Sequence, residues 1–458
     1  MLSVILQLIA SLTLLVVIHE FGHFIFARLF KIRVEKFRMF FDPWFTLFKF
    51  KPKNSDTEFG LGWLPIGGYV KIAGMIDESL DTDQMAKPAQ PWEFRSHPAW
   101  QRLFVMLGGV LFNLLLAFVI YTGISYHYGD SYLPIDAVEE GMKFSDVAKK
   151  AGFEDGDILL KADDQKLVAF DEECFRTILK SEKVTVLRNG QEKTVTIPFD
   201  FMEQLMKENT GFATYRIPFV VDSLMKDSPA EKAGLQAKDR VIAVNNQPMC
   251  VSDITTTFHN NPNKPLTLTV VRGADNCKMT SLNDSVTVAN PMAIAADTLQ
   301  MRVTPNEMGM IGVMIKSAAS LYEPKHVEYS LLESVPAAIH KVGKKLSNYT
   351  NDLKYVFTPE GISSVGGVGS IASLFPTDFS AYIFWEMTAF LSVILAVMNV
   401  LPIPGLDGGH VVFVLYEIIT RRKPSQNFLI RAQMVGMFLL LFLMLYANLN
   451  DVFRFLLN

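Results

Sequence analysis

The chain alternates between long apolar runs and ordinary mixed sequence in a way that predicts four membrane crossings. Leu2 to about Phe30 opens the series and is uncharged as far as Ile18. Leu103 to about Ser125 has no charge, about Phe379 to Met398 carries only Glu386, and about Met434 to Asn448 closes the series. A helix of about 20 apolar residues crosses the hydrocarbon of a bilayer, so each run predicts a spanning helix, the fourth being the shortest. Residues 130–320 have the composition of soluble sequence. The first run lacks a positive leader and meets His19-Glu20 where a cleavage site would fall, so it is expected to remain in the mature protein.

Basic residues flank these runs unevenly. Arg28, Lys31, Arg33, Lys36 and Arg38 follow the first, Arg95 and Arg102 precede the second, and Arg421, Arg422 and Lys423 separate the third from the fourth. Lys/Arg clusters near span ends stay cytoplasmic, which puts both termini and residues 127–378 on the far side. With 458 residues, 50% of them hydrophobic, the chain suits several domains, and a net charge of −4 is too small to imply a nucleic-acid partner, so none is expected. Cys174, Cys250 and Cys277 form neither a disulfide framework nor a zinc spacing, and are expected as reduced thiols.

The soluble region contains a repeat. Ala148-Lys149-Lys150-Ala151-Gly152-Phe153 leads to Asp157, and Ala230-Glu231-Lys232-Ala233-Gly234-Leu235 leads to Asp239. Both follow A-x-x-A-G-apolar-x-x-x-D, which predicts a short helix, a glycine turn and a strand. Downstream, residues 339–356 predict an amphipathic helix, and the glycine-rich stretch 361–369 predicts a joint.

Polar chemistry sits inside the apolar ends. His19-Glu20-Phe21-Gly22-His23 puts two imidazoles four residues apart on one helical face, where they can share a metal ion, with Glu20 beside them as a general base. Ionisable residues at membrane depth are costly and mark function by default. A catalytic zinc takes three protein ligands, and the third is expected from Asn399 to His410, where Pro402, Pro404 and several glycines break the third span. His19 precedes Arg28 by about 13 Å of helix and Asp407 precedes Arg421 by at most about 21 Å, so both lie in the inner half of the bilayer. Asp407 is the expected ligand; His410 is the rival, expected to cap or orient the following helix. Residues 57–71 predict an interfacial β element with an open edge, which can hold an extended substrate by strand addition or plug the site against water.

These motifs resemble the site-2 protease family of intramembrane metalloproteases, in its regulator-of-sigma-E-protease branch. The pentad at 19–23 and Asn399 through Gly408 match the two signature motifs of that family, and the resemblance runs the length of the chain. It implies His19, His23 and Asp407 as ligands of Zn2+ and Glu20 as catalytic base. It also implies that Leu64 to Lys71, with Gly67, Gly68 and Tyr69, is a membrane-associated β-hairpin that contacts substrate. Asn399 would hydrogen-bond substrate backbone, or equally satisfy carbonyls freed by Pro402. Gly109 and Asn113 match a further segment of the second span, although Val110 stands where proline is usual, which leaves a kink there in doubt. The repeat resembles tandem PDZ domains, expected to act more as a size filter than as a peptide reader.

The expectation is therefore a multi-span α-helical membrane protein with four transmembrane helices, a membrane-associated β-hairpin and two extracytoplasmic α+β PDZ-like domains. Its divisions are 1–129, 130–214, 215–320, 321–378 and 379–458. The resemblance implies a monomer in a bacterial inner membrane that cleaves single-span membrane proteins already trimmed by another protease, such as anti-sigma factors or remnant signal peptides.

Overall fold

The computed structural model describes residues 2–65, 67–75, 88–138, 140–208, 210–272, 298–356, 358, 361, 362 and 365–457. The chain forms two compact units, one of Met1–Asp130 with Glu328–Asn458, the other of Ser131–Val327.

In the first unit, helix α1 spans Leu2–Leu29 and ends where Lys31 adopts a left-handed φ of 62°. The Ile32 amide then donates back to the Ala27 carbonyl at 2.8 Å, closing the last turn. Strands β1 (Val34–Met39), β2 (Phe48–Phe50), β3 (Glu58–Leu61) and β4 (Tyr69–Ile72) follow. Helix α2 (Ala99–Tyr128) starts directly after Pro98 and stops at Gly129, whose φ is 64°. It runs unbroken through Val110, so the missing proline brings no interruption of the helix.

Helices α3 (Leu331–Val356), α4 (Val368–Ala372), α5 (Ala381–Val400), α6 (Asp407–Thr420) and α7 (Gln426–Leu457) complete the unit. Four of these helices are long and apolar enough to cross a membrane: α1, α2, α5 and Gln426–Arg454 of α7. The fourth is longer than its apolar run suggests because protein groups satisfy its polar end. The Asp451 carboxylate accepts from the Gly367 and Ser370 amides at 3.0 and 2.9 Å, and Asn448 Oδ1 accepts from Val368 at 3.2 Å. Asp451 and Asn448 thereby cap α4, and the stretch 361–369, of which 363 and 364 lie outside the described residues, leads into that helix.

The β element differs from the expected hairpin. The four strands form one sheet in the order β2-β3-β1-β4. β3 runs parallel to β1 and β4 antiparallel to it, so the two strands within 57–71 flank β1 instead of pairing with each other. The hairpin in this sheet is β2–β3. Buried Arg38 of β1 explains the arrangement. Its guanidinium pairs with Glu58 of β3 and, at 2.9 Å, with Asp42, whose other oxygen accepts from the Tyr69 hydroxyl of β4 at 2.9 Å. The neighbouring Glu58 and Asp42 carboxylates hold the Arg38 guanidinium above its ordinary pKa despite burial. Trp44, Phe45 and Trp63 stack nearby, with Trp44 almost fully exposed, as suits a membrane interface.

The second unit has two cores, one drawn from residues 135–212 and one from 219–311. Apart from helix 201–207 in the first, each is built by the same succession of elements. Strand 142–144, helix 146–150, strands 158–162 and 165–166, helix 172–180, strands 183–188 and 191–196, helix 201–207 and strand 213–215 make the first. Strand 219–224, helix 229–232, strands 240–244 and 247–248, helix 251–259 and strands 266–271, 298–303 and 313–315 repeat it. In both, the last strand pairs antiparallel with the first.

The repeated Asp has the same partner twice. Asp157 takes a two-pronged contact from Arg188, at 2.7 Å on each oxygen, and Asp239 takes the same from Arg272 at 3.0 and 2.9 Å. The two guanidiniums also donate to the repeat glycines, Gly152 O at 2.8 Å and Gly234 O at 2.7 Å. These arginines were not singled out in the sequence, although both close a strand with the pattern T-V-apolar-R. Asp157 is 1% exposed and accepts both prongs, while Arg188 keeps Glu154 and the Gly152 carbonyl as partners, so Asp157→Asn removes one charge-assisted hydrogen bond and is expected to cost about 2 kcal/mol. Hydrogen exchange over residues 142–196 of the full chain reads this as lost protection; unchanged exchange would refute it. Cys174 and Cys250 are free and buried, and Cys277 lies outside the described residues.

Candidate metal centre

α1 carries His19 and His23 on the face turned toward α2, and both are more than nine-tenths buried. The close approach of the two helices depends on glycine. A side-chain carbon on Gly22 would collide with the Gly108 carbonyl of α2. One on Gly109 would sit 2.5 Å from His19 Cε1 and 2.6 Å from His23 Nε2. The imidazoles thus lie directly on bare backbone, a small-residue crossing of the kind membrane helices use.

Each imidazole has its far nitrogen engaged by α2. His23 Nδ1 lies 2.8 Å from the Val105 carbonyl, which can only accept, so Nδ1 carries the proton and Nε2 keeps its lone pair. His19 Nδ1 lies 3.1 Å from the Asn113 amide, whose oxygen otherwise has no partner. Turning that amide so that its oxygen accepts from Nδ1–H satisfies both groups and leaves His19 Nε2 with its lone pair as well.

The third donor arrives from the broken span. α5 ends at Val400, residues 401–406 are irregular, and α6 begins at Asp407. Glycines let this loop pack tightly: Gly405 has φ 102°, and Gly436 of α7 touches the Pro404 backbone with no room for a side chain. Arg102 of α2 pairs with Glu417 of α6 at 2.6 Å and holds the helix that bears Asp407. Asp407 Oδ2 then lies 3.1 Å from His19 Nε2 and 3.2 Å from His23 Nε2, and the two Nε2 atoms are 3.2 Å apart.

This triangle fits zinc. Two ligands at zinc distances of about 2.0–2.1 Å and the tetrahedral angle are separated by about 3.3 Å. Three lone-pair-bearing atoms brought this close without a cation would repel one another, and Asp407 Oδ2 is buried with no hydrogen-bond partner. Among the described residues these three form the metal-ligating group. His410 lies one turn further along α6, against Phe413, and is not part of it.

Glu20 is half-buried and follows His19 on α1, about 60° round the helix from His23. Gly68 faces Val16 of α1, three residues before His19, and Tyr69 begins the outer strand β4. A cavity of about 10 Å³, room for a single water, separates α1 from the 65–68 segment. Ile66 lies outside the described residues. Asn399 sits half-buried in the last turn of α5, with no hydrogen bond from its side chain among the described residues. The helical partners of the metal group, Val105, Gly109 and Asn113, recur at every fourth position of α2. That spacing is the signal by which a sequence can disclose a face packed on a metal site.

Asn113→Leu is expected to weaken zinc retention by about 10- to 100-fold, because His19 loses the group that fixes its tautomer. Asn113→Asp, which keeps an acceptor, should retain zinc. Metal analysis after dialysis separates the two, and equal retention in both variants would refute the tautomer argument.

The model of peptidase family M50 matches residues 7–443 of this chain. The regulator of sigma E protease of Haemophilus influenzae is 27% identical, covering 97% of this chain and 98% of its own length. The regulator of sigma E protease of Salmonella typhi is also 27% identical, over 99% and 100%. A Neisseria meningitidis protein with the provisional name of zinc metalloprotease is 29% identical over 98% and 99%.

Proposed function

Because the chain belongs to peptidase family M50 and is a zinc metalloprotease, we propose that it cuts peptide bonds within the bilayer, with His19, His23 and Asp407 as zinc ligands and Glu20 as catalytic base. The observation that carries this reading is the 3.1–3.2 Å convergence of the three donor atoms on helices long and apolar enough to cross a membrane.

Zinc at this position supplies a Lewis acid that polarises a carbonyl and makes water a better nucleophile near neutral pH. Glu20 accepts the proton of the attacking water and returns it to the leaving amine. Val105 and Asn113 keep both histidines in the ligating tautomer. The peptide itself must be extended, since a helical segment hides its carbonyls. The outer edge of β4 offers backbone groups for that purpose, and Gly67 and Gly68, which pack against Phe41 and against Arg38 and Val16, are assigned to substrate contact on the family resemblance. Tyr69 acts in this arrangement through Asp42, which ties the edge strand to Arg38. Asn399 is assigned to substrate backbone on the family resemblance and on its unengaged amide.

The substrates proposed, on the family resemblance, are single-span membrane proteins already shortened by another protease, of the anti-sigma-factor or remnant-signal-peptide type; the names of the relatives carry only the link to sigma E regulation. The chain would lie in a bacterial inner membrane as a monomer, its basic clusters cytoplasmic and its two repeated lobes outside. Those lobes are PDZ-like in element order and would exclude substrates that keep a bulky outer domain.

The test is incubation of the purified protein with a truncated single-span substrate, with and without a zinc chelator. Cleavage within the apolar segment, lost on chelation and restored by zinc, is expected. Cleavage confined to the soluble flanks, or persisting without metal, would overturn the proposal.

A further inference from the structure

Where α1 ends, three cations converge on one recess. Arg28, Lys31 and Arg33 line a cavity of about 450 Å³ with Ile32, Asp56 and Trp92. The Ile32 side chain is buried, so the recess has an apolar member, and the half-exposed Trp92 indole stands beside the cations. Two features fix its shape. The left-handed turn at Lys31 reverses the chain, and the Arg33 amide donates to the Trp92 carbonyl at 3.0 Å, which draws Trp92 toward the helix end.

Among the described lining residues, cations outnumber acids. Among the described residues, none of Arg28, Lys31 and Arg33 makes a salt bridge, and Asp56 is the single acid in the lining. Arg33 Nε has no hydrogen-bond partner among the described residues, whereas the Nε groups of buried Arg38 and Arg102 donate to Asp42 and to the His97 carbonyl. Arg28 and Lys31 are exposed and Arg33 is half-buried, and together they border a space large enough for a small ligand. The missing partner is an anion with several acceptor oxygens and room for a short polar substituent.

We propose that this recess binds a phosphate group, presented as the headgroup of an anionic phospholipid. The basic clusters that set the orientation place α1's end at the cytoplasmic surface, where anionic headgroups are abundant and basic pockets between helices collect them. A phosphodiester in the recess offers acceptor oxygens to Arg28, Lys31 and Arg33 and offsets the excess of three cations over one carboxylate in the described lining. Arg28 lies five residues after His23 on the same helix, so the lipid would brace the end of the helix that carries both histidines. The assignment uses the orientation proposed above but not the proteolytic activity.

The experiment is native mass spectrometry on the full-length protein, titrated with short-chain phosphatidylglycerol, short-chain phosphatidylcholine, or inorganic phosphate. The wild type is expected to hold one phosphatidylglycerol at least tenfold more tightly than phosphatidylcholine. The Arg28→Gln/Lys31→Gln/Arg33→Gln variant should lose that preference, and Asp56→Asn should tighten binding severalfold. Arg421→Gln/Arg422→Gln/Lys423→Gln, which neutralises a basic cluster outside the recess, should keep the preference. Unchanged zinc content shows that each variant is folded around its metal site, and the gain expected of Asp56→Asn does not depend on the triple variant folding. Equal retention of both lipids by the wild type, or no response to Asp56→Asn, would overturn the proposal. Saturation by inorganic phosphate without a lipid preference would assign the site to a soluble phosphate and overturn the lipid source.

Discussion

Glu20→Gln is expected to reduce cleavage by at least about 10³-fold while zinc content stays at the wild-type level. Gln matches Glu in size and keeps the half-buried position on α1, so the packing of the helix on α2 is preserved. What it removes is a proton acceptor, and a positioned general base contributes about 10²–10⁴-fold in rate. The proposed zinc donors are untouched, because His19, His23 and Asp407 reach one another without Glu20. Single-turnover cleavage of a truncated membrane substrate, with metal analysis on the same preparation, reads both quantities. Loss of activity together with loss of zinc would mean that Glu20 belongs to the metal site instead of the proton path. Retained activity would remove it from the mechanism.

Gly109→Ala is expected to lower activity by about 10²-fold or more, and here zinc binding should fall with it. The new methyl would lie 2.5–2.6 Å from atoms of both imidazoles, closer than carbon atoms approach, so the histidines must move out of line with Asp407. Misplacing a catalytic group by about 1 Å costs about 10²-fold. The sign excludes a trivial cause. In a helix interior Ala is favoured over Gly by about 1 kcal/mol, so propensity alone would strengthen α2. Gly123→Ala provides the control on the same helix, because a side-chain carbon there meets nothing within 4 Å. It should leave zinc content and rate unchanged. If Gly109→Ala behaves like Gly123→Ala, the histidines are not seated on the α2 backbone as described.

Much of this was legible beforehand because the relevant signals are local or additive. Apolar length marks a span wherever it falls, since hydrocarbon thickness sets the requirement. The pentad at 19–23 announces its chemistry because helix geometry alone puts residues four apart on one face. Even the pairing with Asp407 could be reasoned from depth, since basic clusters report where each helix leaves the membrane. The repeated Asp157 and Asp239 were visible as a pattern, but their arginines, some thirty residues later, were not.

The β element shows where such reading stops. Residues 57–71 have the composition of strands, and two strands, Glu58–Leu61 and Tyr69–Ile72, form there. Which strand pairs with which depends on Arg38 satisfying Glu58 on one side and, through Asp42, Tyr69 on the other. Pairing is a contest among alternatives of similar local merit, decided by a buried charge that must be answered. The fourth span is a second case: its polar end looks unfit for a membrane helix until Gly367, Val368 and Ser370 are found hydrogen-bonded to it.

The amino-acid sequence by itself determined the crossings, the donor types and the repeat, because each follows from periodicity, length or side-chain chemistry within one segment. Only the tertiary structure decided that Gly109 is the surface on which both histidines rest, that Asn113 and Val105 set their tautomers, and that Arg28, Lys31 and Arg33 share a recess. Those facts are distances between segments up to about a hundred residues apart, and no property of either segment alone contains them.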